Sequence, residues 1–153
     1  KTRKTAGTSL EIALSEYCGP DDIISRIRIV DEPIRAALGY RGPQNYHVPF
    51  RRYTIADCRR AIRSRERLRY RNHDPASVLR RRLGDDIWEN YFKFTFVRDP
   101  YDLAISRYHW AKRKGIDPTL SDYLKKASAP HLTNWNIYTI DDKIAGGPDL
   151  WHA

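Results

Sequence analysis

Methionine is absent from the 153 residues, and cysteine occurs only twice, at Cys18 and Cys58. There is no CxxC pair and no Cys/His cluster with ligand spacing, which argues against a disulfide scaffold and a cysteine-rich zinc site. No secretory leader opens the chain, and its apolar runs fall far short of the twenty or so residues that span a bilayer. A reducing, cytoplasmic compartment and a chain without a membrane span are therefore expected, with any membrane anchor lying outside it. A chain without methionine that opens at Lys1 almost directly on a loop motif reads as a piece of a longer protein. The turn-like tail from Gly146 to Ala153 reads the same way at the other end.

Hydrophobic residues make up 41%, and four Trp, ten Tyr and four Phe are present. Disordered chains are poor in aromatics, so one globular domain over residues 1–153 is expected. The 28 Lys and Arg against 19 Asp and Glu leave a formal charge of +9. That balance favours an anionic partner such as a nucleotide, a nucleic acid, a glycan or an acidic lipid surface, and does not choose among them.

Along the chain, Thr8 and Glu11 have the spacing of a capping box, and Leu10, Ala13, Leu14 and Tyr17 follow at helical intervals until Gly19 and Pro20. From Asp21 to Arg71, Gly39, Gly42, Pro43 and Pro49 interrupt any long element, and short helices joined by loops are predicted. Asp74 and Pro75 read as a cap and a first helical residue, leading to Ala76, Leu79 and Leu83 before Gly84, with a further short helix around Ile87, Trp88 and Tyr91. Phe92 to Val97 is the best strand pattern in the chain and suits an interior position. Asp99 and Pro100 then start a helix with Tyr101, Ala104, Ile105 and Tyr108 as its inward stripe. Thr119 or Ser121 caps another, carrying Leu120, Tyr123, Leu124 and Ala127.

Two segments carry chemistry. In the first, Lys4-Thr5-Ala6-Gly7-Thr8-Ser9-Leu10, a small, polar and basic loop runs into a helix N-terminus, where backbone N–H groups and the helix dipole favour a phosphate. Gly7 allows close approach, Thr8 and Ser9 offer hydroxyls, and Lys4 offers a mobile charge. The lysine precedes the glycine and GxxxxGK[ST] is absent, which disfavours an ordinary ATPase. A basic strand end capped by Thr8 would look similar, so a second motif has to decide. That motif runs from Phe94 to Tyr108: Arg98 stands at the strand end and Ser106 two helical turns later, so that both can converge on one phosphate.

Together these segments resemble the PAPS-dependent sulfotransferases (PAPS is 3′-phosphoadenosine 5′-phosphosulfate), particularly the carbohydrate and bacterial "family 2" group. Lys4 to Leu10 is similar to their 5′-phosphosulfate loop, and Arg98 to Ser106 to their 3′-phosphate motif of RxPxxxxxS form. Asn134-Trp135-Asn136-Ile137-Tyr138 is similar to a later segment. Arg3 replaces the usual proline before the lysine. The strand that should precede the loop is missing, as is the one that usually follows Ile144-Ala145.

The resemblance implies a three-layer α/β fold of the P-loop type, with a short parallel sheet flanked by helices. It implies PAPS as sulfuryl donor, no metal, and a hydroxyl or amine of a carbohydrate or small molecule as acceptor. Arg3, Lys4, Thr5, Ala6, Gly7, Thr8 and Ser9 would wrap the phosphosulfate, with Lys4 neutralising the leaving phosphate, and Arg98 and Ser106 would hold the 3′-phosphate. His73, just before a predicted helix, is similar to the family's proton-accepting histidine, although a histidine that only packs at the helix entry would look the same. Glu66 and Asp74 are the fallback bases. His47, His109, His131 and His152 have no better claim than a solvated or packed histidine.

The run Arg59, Arg60, Arg63, Arg65, Arg67, Arg69 and Arg71 reads as a solvated face, or as a surface that draws in an anionic acceptor. A kinase would need a Walker loop and a magnesium-holding carboxylate, which are not in place. A non-catalytic nucleotide- or nucleic-acid-binding module remains the alternative. It should carry exposed aromatics among its basic residues, whereas the aromatics here are predicted to be buried, so no nucleic acid partner is expected.

Overall fold

The computed structural model describes residues 1–115, 119–127 and 133–145. His131, His152 and the tail from Gly146 lie outside the described residues. The chain divides into two compact units, one made of Lys1–Gly7 with Lys93–Ala153 and the other of Thr8–Phe92.

The Thr8–Phe92 unit is helical, with α1 (Gly7–Leu14), α2 (Glu32–Ala37), a 3-10 turn (Phe50–Arg52), α3 (Ile55–Ser64), α4 (Ala76–Leu83) and α5 (Asp85–Asn90). Its core gathers Val48, Leu68 and Tyr70, with Tyr53, Ala61, Leu79 and Leu83 packed around them. Burying a valine or leucine side chain contributes about 1.5–3 kcal/mol. Both tyrosines satisfy their polar tips while their rings are enclosed. The Tyr53 hydroxyl accepts the Leu68 N–H at 2.8 Å, and the Tyr70 hydroxyl donates to the Arg82 carbonyl at 3.2 Å.

Helix α3 starts where Thr54 and Asp57 form a reciprocal capping box. It ends at Arg65 in the left-handed region. Gly84, between α4 and α5, has φ +90°, and the Arg52 guanidinium occupies the place a Cβ would take. A side chain there would be strained by the positive φ and would have to displace the Arg52 guanidinium.

In the other unit, α6 (Pro100–Lys112) starts as predicted from Asp99 and Pro100. The Asp99 carboxylate accepts the Tyr101 and Asp102 N–H groups at 2.9 and 3.0 Å. Helix α7 (Leu120–Lys126) is capped by Thr119 rather than Ser121. Helix α8 (Trp135–Tyr138) leads into β1 (Thr139–Ile140), which pairs antiparallel with β2 (Lys143–Ile144). The two-residue turn places Asp141 at φ 50° and Asp142 at φ 58°. Two successive positive φ values match the twist of a tight hairpin, and aspartate tolerates them better than most residues.

Several expectations are corrected. The three-layer P-loop α/β fold with a parallel sheet is not what forms: among the described residues the structure is mostly helical, and its sheet is the two-stranded antiparallel hairpin. Phe92 to Val97 runs without regular structure, and Phe94 and Phe96 are 53% and 51% exposed. Alternating aromatics make a strand only when neighbouring strands take up the backbone N–H and C=O groups and cover both faces.

The inward stripes also differ from those predicted. Helix α1 buries Ile12 and is followed by buried Ser15, while Leu14 and Tyr17 are exposed. It begins at Gly7, so Thr8 is its second residue rather than its cap. Helix α6 turns Leu103, Arg107 and Ala111 inward and leaves Tyr101 79% exposed. A hydropathy pattern does not place an arginine at the centre of a buried stripe, which is why that face was missed. Helix α4 starts one residue late, after Pro75. Asp74 turns instead to the Arg82 guanidinium at 2.7 Å.

Candidate functional site

The loop ahead of α1 is built from its own hydroxyls and from residues more than ninety positions away. Thr2 Oγ1 donates to the Phe96 carbonyl at 2.6 Å and lies 2.8 Å from Thr5 Oγ1. The Arg3 N–H donates to Asn134 Oδ1 and Asn134 Nδ2 donates to the Arg3 carbonyl, both at 3.0 Å. Arg98 donates to the Lys4 carbonyl at 3.3 Å. Held in this way, the backbone has φ 62° at Lys4 and 54° at Ala6, with Thr5 between them outside the positive region. Left-handed conformations at residues other than glycine cost on the order of 1–3 kcal/mol each, and they persist where surrounding contacts impose them. Alternating left- and right-handed residues are one way in which successive N–H groups come to line an anion-binding concavity. A Cβ at Gly7 would fall 2.9 Å from Lys1 Cδ, so a larger residue there would have to displace the Lys1 side chain.

The charges that shift Lys4 are all positive. Burial lowers the Lys4 pKa below the ordinary lysine value, and the Arg113, Arg98 and Arg107 guanidinium groups lower it further. Arg107 is 8% exposed. Among the described residues it donates to the Thr133 carbonyl and Asn134 Oδ1, both at 3.4 Å. Its pKa is lowered chiefly by burial and then by Arg3. Arg98 has Asp102 at 4.0 Å, a long surface pair that leaves most of its charge available. A buried cation with no carboxylate against it is costly, and an anionic ligand would relieve that cost.

Of the residues picked out in the sequence, Arg3, Lys4, Thr5, Ala6, Gly7, Arg98 and Ser106 lie in this unit. The structure brings Arg98 against the Lys4 backbone, and Ser106 is half-buried on α6 beside Arg107. Thr8 and Ser9 lie in the first turn of α1, in the Thr8–Phe92 unit.

His73 also belongs to the Thr8–Phe92 unit, half-buried, at φ 67°. Its neighbours in sequence are engaged. Asn72 donates to the Arg26 carbonyl at 2.8 Å and accepts from Ser25 at 3.0 Å, while Asp74 accepts from the Arg71 N–H and from Arg82. Of the fallback bases, Asp74 is therefore committed to a buried ion pair and Glu66 to a surface pair with Arg69 at 3.0 Å. Among the described residues, no group of three or more His, Cys, Asp or Glu is placed to hold a metal ion.

Thr2, Arg107, Arg113 and Asn134 were not singled out from the sequence. Asn134 opens the segment Asn134–Tyr138 and Arg107 directly follows Ser106, each next to residues the sequence had picked out. Their inward placement had no local signal, because a buried guanidinium and a side-chain bond across 131 residues are both tertiary events. No protein-family model, curated protein or solved structure matches the chain.

Proposed function

We propose that the chain is a sulfotransferase domain that moves a sulfuryl group from PAPS to a hydroxyl, or amine, of a carbohydrate or small-molecule acceptor. One observation supports this most: a loop with alternating left-handed turns carries Lys4 among Arg98, Arg107 and Arg113, with no carboxylate of the described residues among the charges that shift Lys4. A ligand with a dense anionic end fits such a place. On this reading the loop from Arg3 to Gly7 takes the 5′-phosphosulfate, and Arg98 with Ser106 takes the 3′-phosphate. The acceptor oxygen attacks sulfur, the bond from sulfur to the bridging phosphate oxygen breaks, and the departing adenosine 3′,5′-bisphosphate keeps the electron pair. Charge grows on that oxygen during the step, so a cation already in place stabilises the transition state more than the ground state. The acceptor proton goes to a general base, for which His73 is the candidate by resemblance.

Binding measurements with adenosine 3′,5′-bisphosphate, AMP and a short single-stranded DNA test the assignment. The bisphosphate should bind about tenfold or more tighter than AMP, the size of one charge-assisted hydrogen bond, and Arg98→Ala should close the gap. Equal binding of the two nucleotides to the parent would sink the reading. His73→Ala should leave bisphosphate binding intact and slow transfer by about a hundredfold or more, and full activity in that variant would remove His73 from the mechanism.

A second reading, a non-catalytic module for nucleotides or nucleic acid, gains from one finding. The aromatics expected on buried faces are in part outside: Phe94, Phe96, Tyr101 and Trp110 are exposed, and the Lys114 ammonium lies 3.8 Å from the Trp110 ring centroid. Base stacking uses such rings. DNA binding tighter than bisphosphate binding, without transfer, would favour this module.

A further inference from the structure

Asn134 is only 5% exposed, and its carboxamide meets Arg3 as a neighbouring strand would, accepting the N–H and donating to the C=O at 3.0 Å each. The residue held this way is the one directly before Lys4. On its other side Asn134 Oδ1 lies 3.4 Å from the Arg107 guanidinium. A guanidinium only donates, so Arg107 fixes which end of the amide is oxygen and therefore which end can donate to Arg3. The opposite side of the loop is tied through Thr2 to the Phe96 carbonyl. We propose that Asn134 is a positioning residue for an anion site: with Arg107 behind it, its carboxamide sets the Arg3 peptide so that the loop holds its turns at Lys4 and Ala6 before a ligand arrives.

The chemistry of the side chain supports a binding role over a merely structural one. An aspartate there would accept from the Arg3 N–H and from Arg107 equally well. It would also place a carboxylate against Arg107, cancelling the charge that acts on the loop, and it would lose the donor to the Arg3 carbonyl. A neutral amide holds the backbone and leaves the cations uncompensated.

The ligand class rests on the reading above, whereas the clamp does not, and one experiment on the full chain separates the two. Hydrogen exchange of the loop amides is followed by mass spectrometry in the parent, Asn134→Ala and Asn134→Asp. Binding of inorganic pyrophosphate, AMP and adenosine 3′,5′-bisphosphate is measured in the same three proteins. In Asn134→Ala, loop exchange should quicken and all three anions should weaken by about tenfold, the effect of one or two lost hydrogen bonds, with the preference for the bisphosphate over AMP unchanged. In Asn134→Asp, exchange should stay nearer the parent while binding weakens by about tenfold or more and its salt dependence flattens, as expected when a carboxylate takes up the positive charge. Unchanged exchange or unchanged pyrophosphate affinity in Asn134→Ala would overturn the proposal. So would parent-like anion affinity in Asn134→Asp, which also decides the matter if the alanine variant loses its cooperative melt. A parent that binds pyrophosphate but shows no preference for the bisphosphate over AMP would end the PAPS reading and leave the clamp to be judged on exchange and pyrophosphate alone.

Discussion

Buried arginines in the two units are treated in opposite ways. In the Thr8–Phe92 unit each has carboxylates to face. Arg82 meets Asp74 at 2.7 Å, and fully buried Arg35 lies between Glu11 at 3.8 Å and Glu32 at 3.5 Å. Half-exposed Arg81 follows the same rule, meeting Asp57 at 2.8 Å. In the other unit Arg107 is enclosed to a similar degree and, among the described residues, finds carbonyl oxygens at 3.4 Å rather than a carboxylate, with Arg3 and Lys4 as charged neighbours. One residue type thus serves to tie elements together in one place and to carry unspent charge in the other. The difference lies in what faces the guanidinium, and it decides which region can recruit an anion.

The comparison breaks most sharply at Asp74. Asp74→Ala leaves Arg82 buried without its carboxylate and should cost about 3–5 kcal/mol of stability, read by urea unfolding. A loss below about 1 kcal/mol, the usual worth of a surface pair, would place Arg82 with the solvated arginines instead.

The corresponding change in the other unit should act on affinity and not on stability. Arg107→Met keeps much of the buried volume and removes a cation that no carboxylate among the described residues offsets. Its ligand-free melt should match or exceed that of the parent, while bisphosphate binding weakens by about tenfold. A melt lowered as far as that of Asp74→Ala would make the two arginines alike and end the contrast.

The smallest effect concerns pH. Lys4 has a folded pKa below its ordinary value, mainly through burial and then through Arg113, Arg98 and Arg107. The unfolded chain therefore binds the Lys4 proton more tightly than the native one. Ligand-free stability should rise with pH through the window between the lowered value and the ordinary one near about 10.4, where the penalty for holding a charged Lys4 is relieved. Lys4→Met should lack that rise when melts of the two proteins are compared at low salt across the alkaline range. A bound anion should pull the Lys4 pKa back up, so affinity should fall as pH rises through the same window. Parallel stability profiles for parent and variant would show that Lys4 is not electrostatically stressed.

Much of the local chemistry was legible in the chain itself. Asp99 with Pro100, and Thr119, start helices where their side-chain acceptors and fixed φ require it, because a cap is decided within three or four residues. Lys4 to Ser9 and Arg98 to Ser106 can be picked out from residue type and spacing as candidate anion-binding segments. What the sequence could not determine was burial and pairing. Phe92 to Val97 has the alternation of a strand, yet a strand exists only through its neighbours, and here it runs without a ladder. Helix α6 turned Arg107 inward against its own hydropathy pattern. Asn134 reached the Arg3 peptide across 131 residues. Those outcomes belong to the tertiary structure, since whether a guanidinium ends beside a carboxylate or beside other cations depends on which distant segments fold against it.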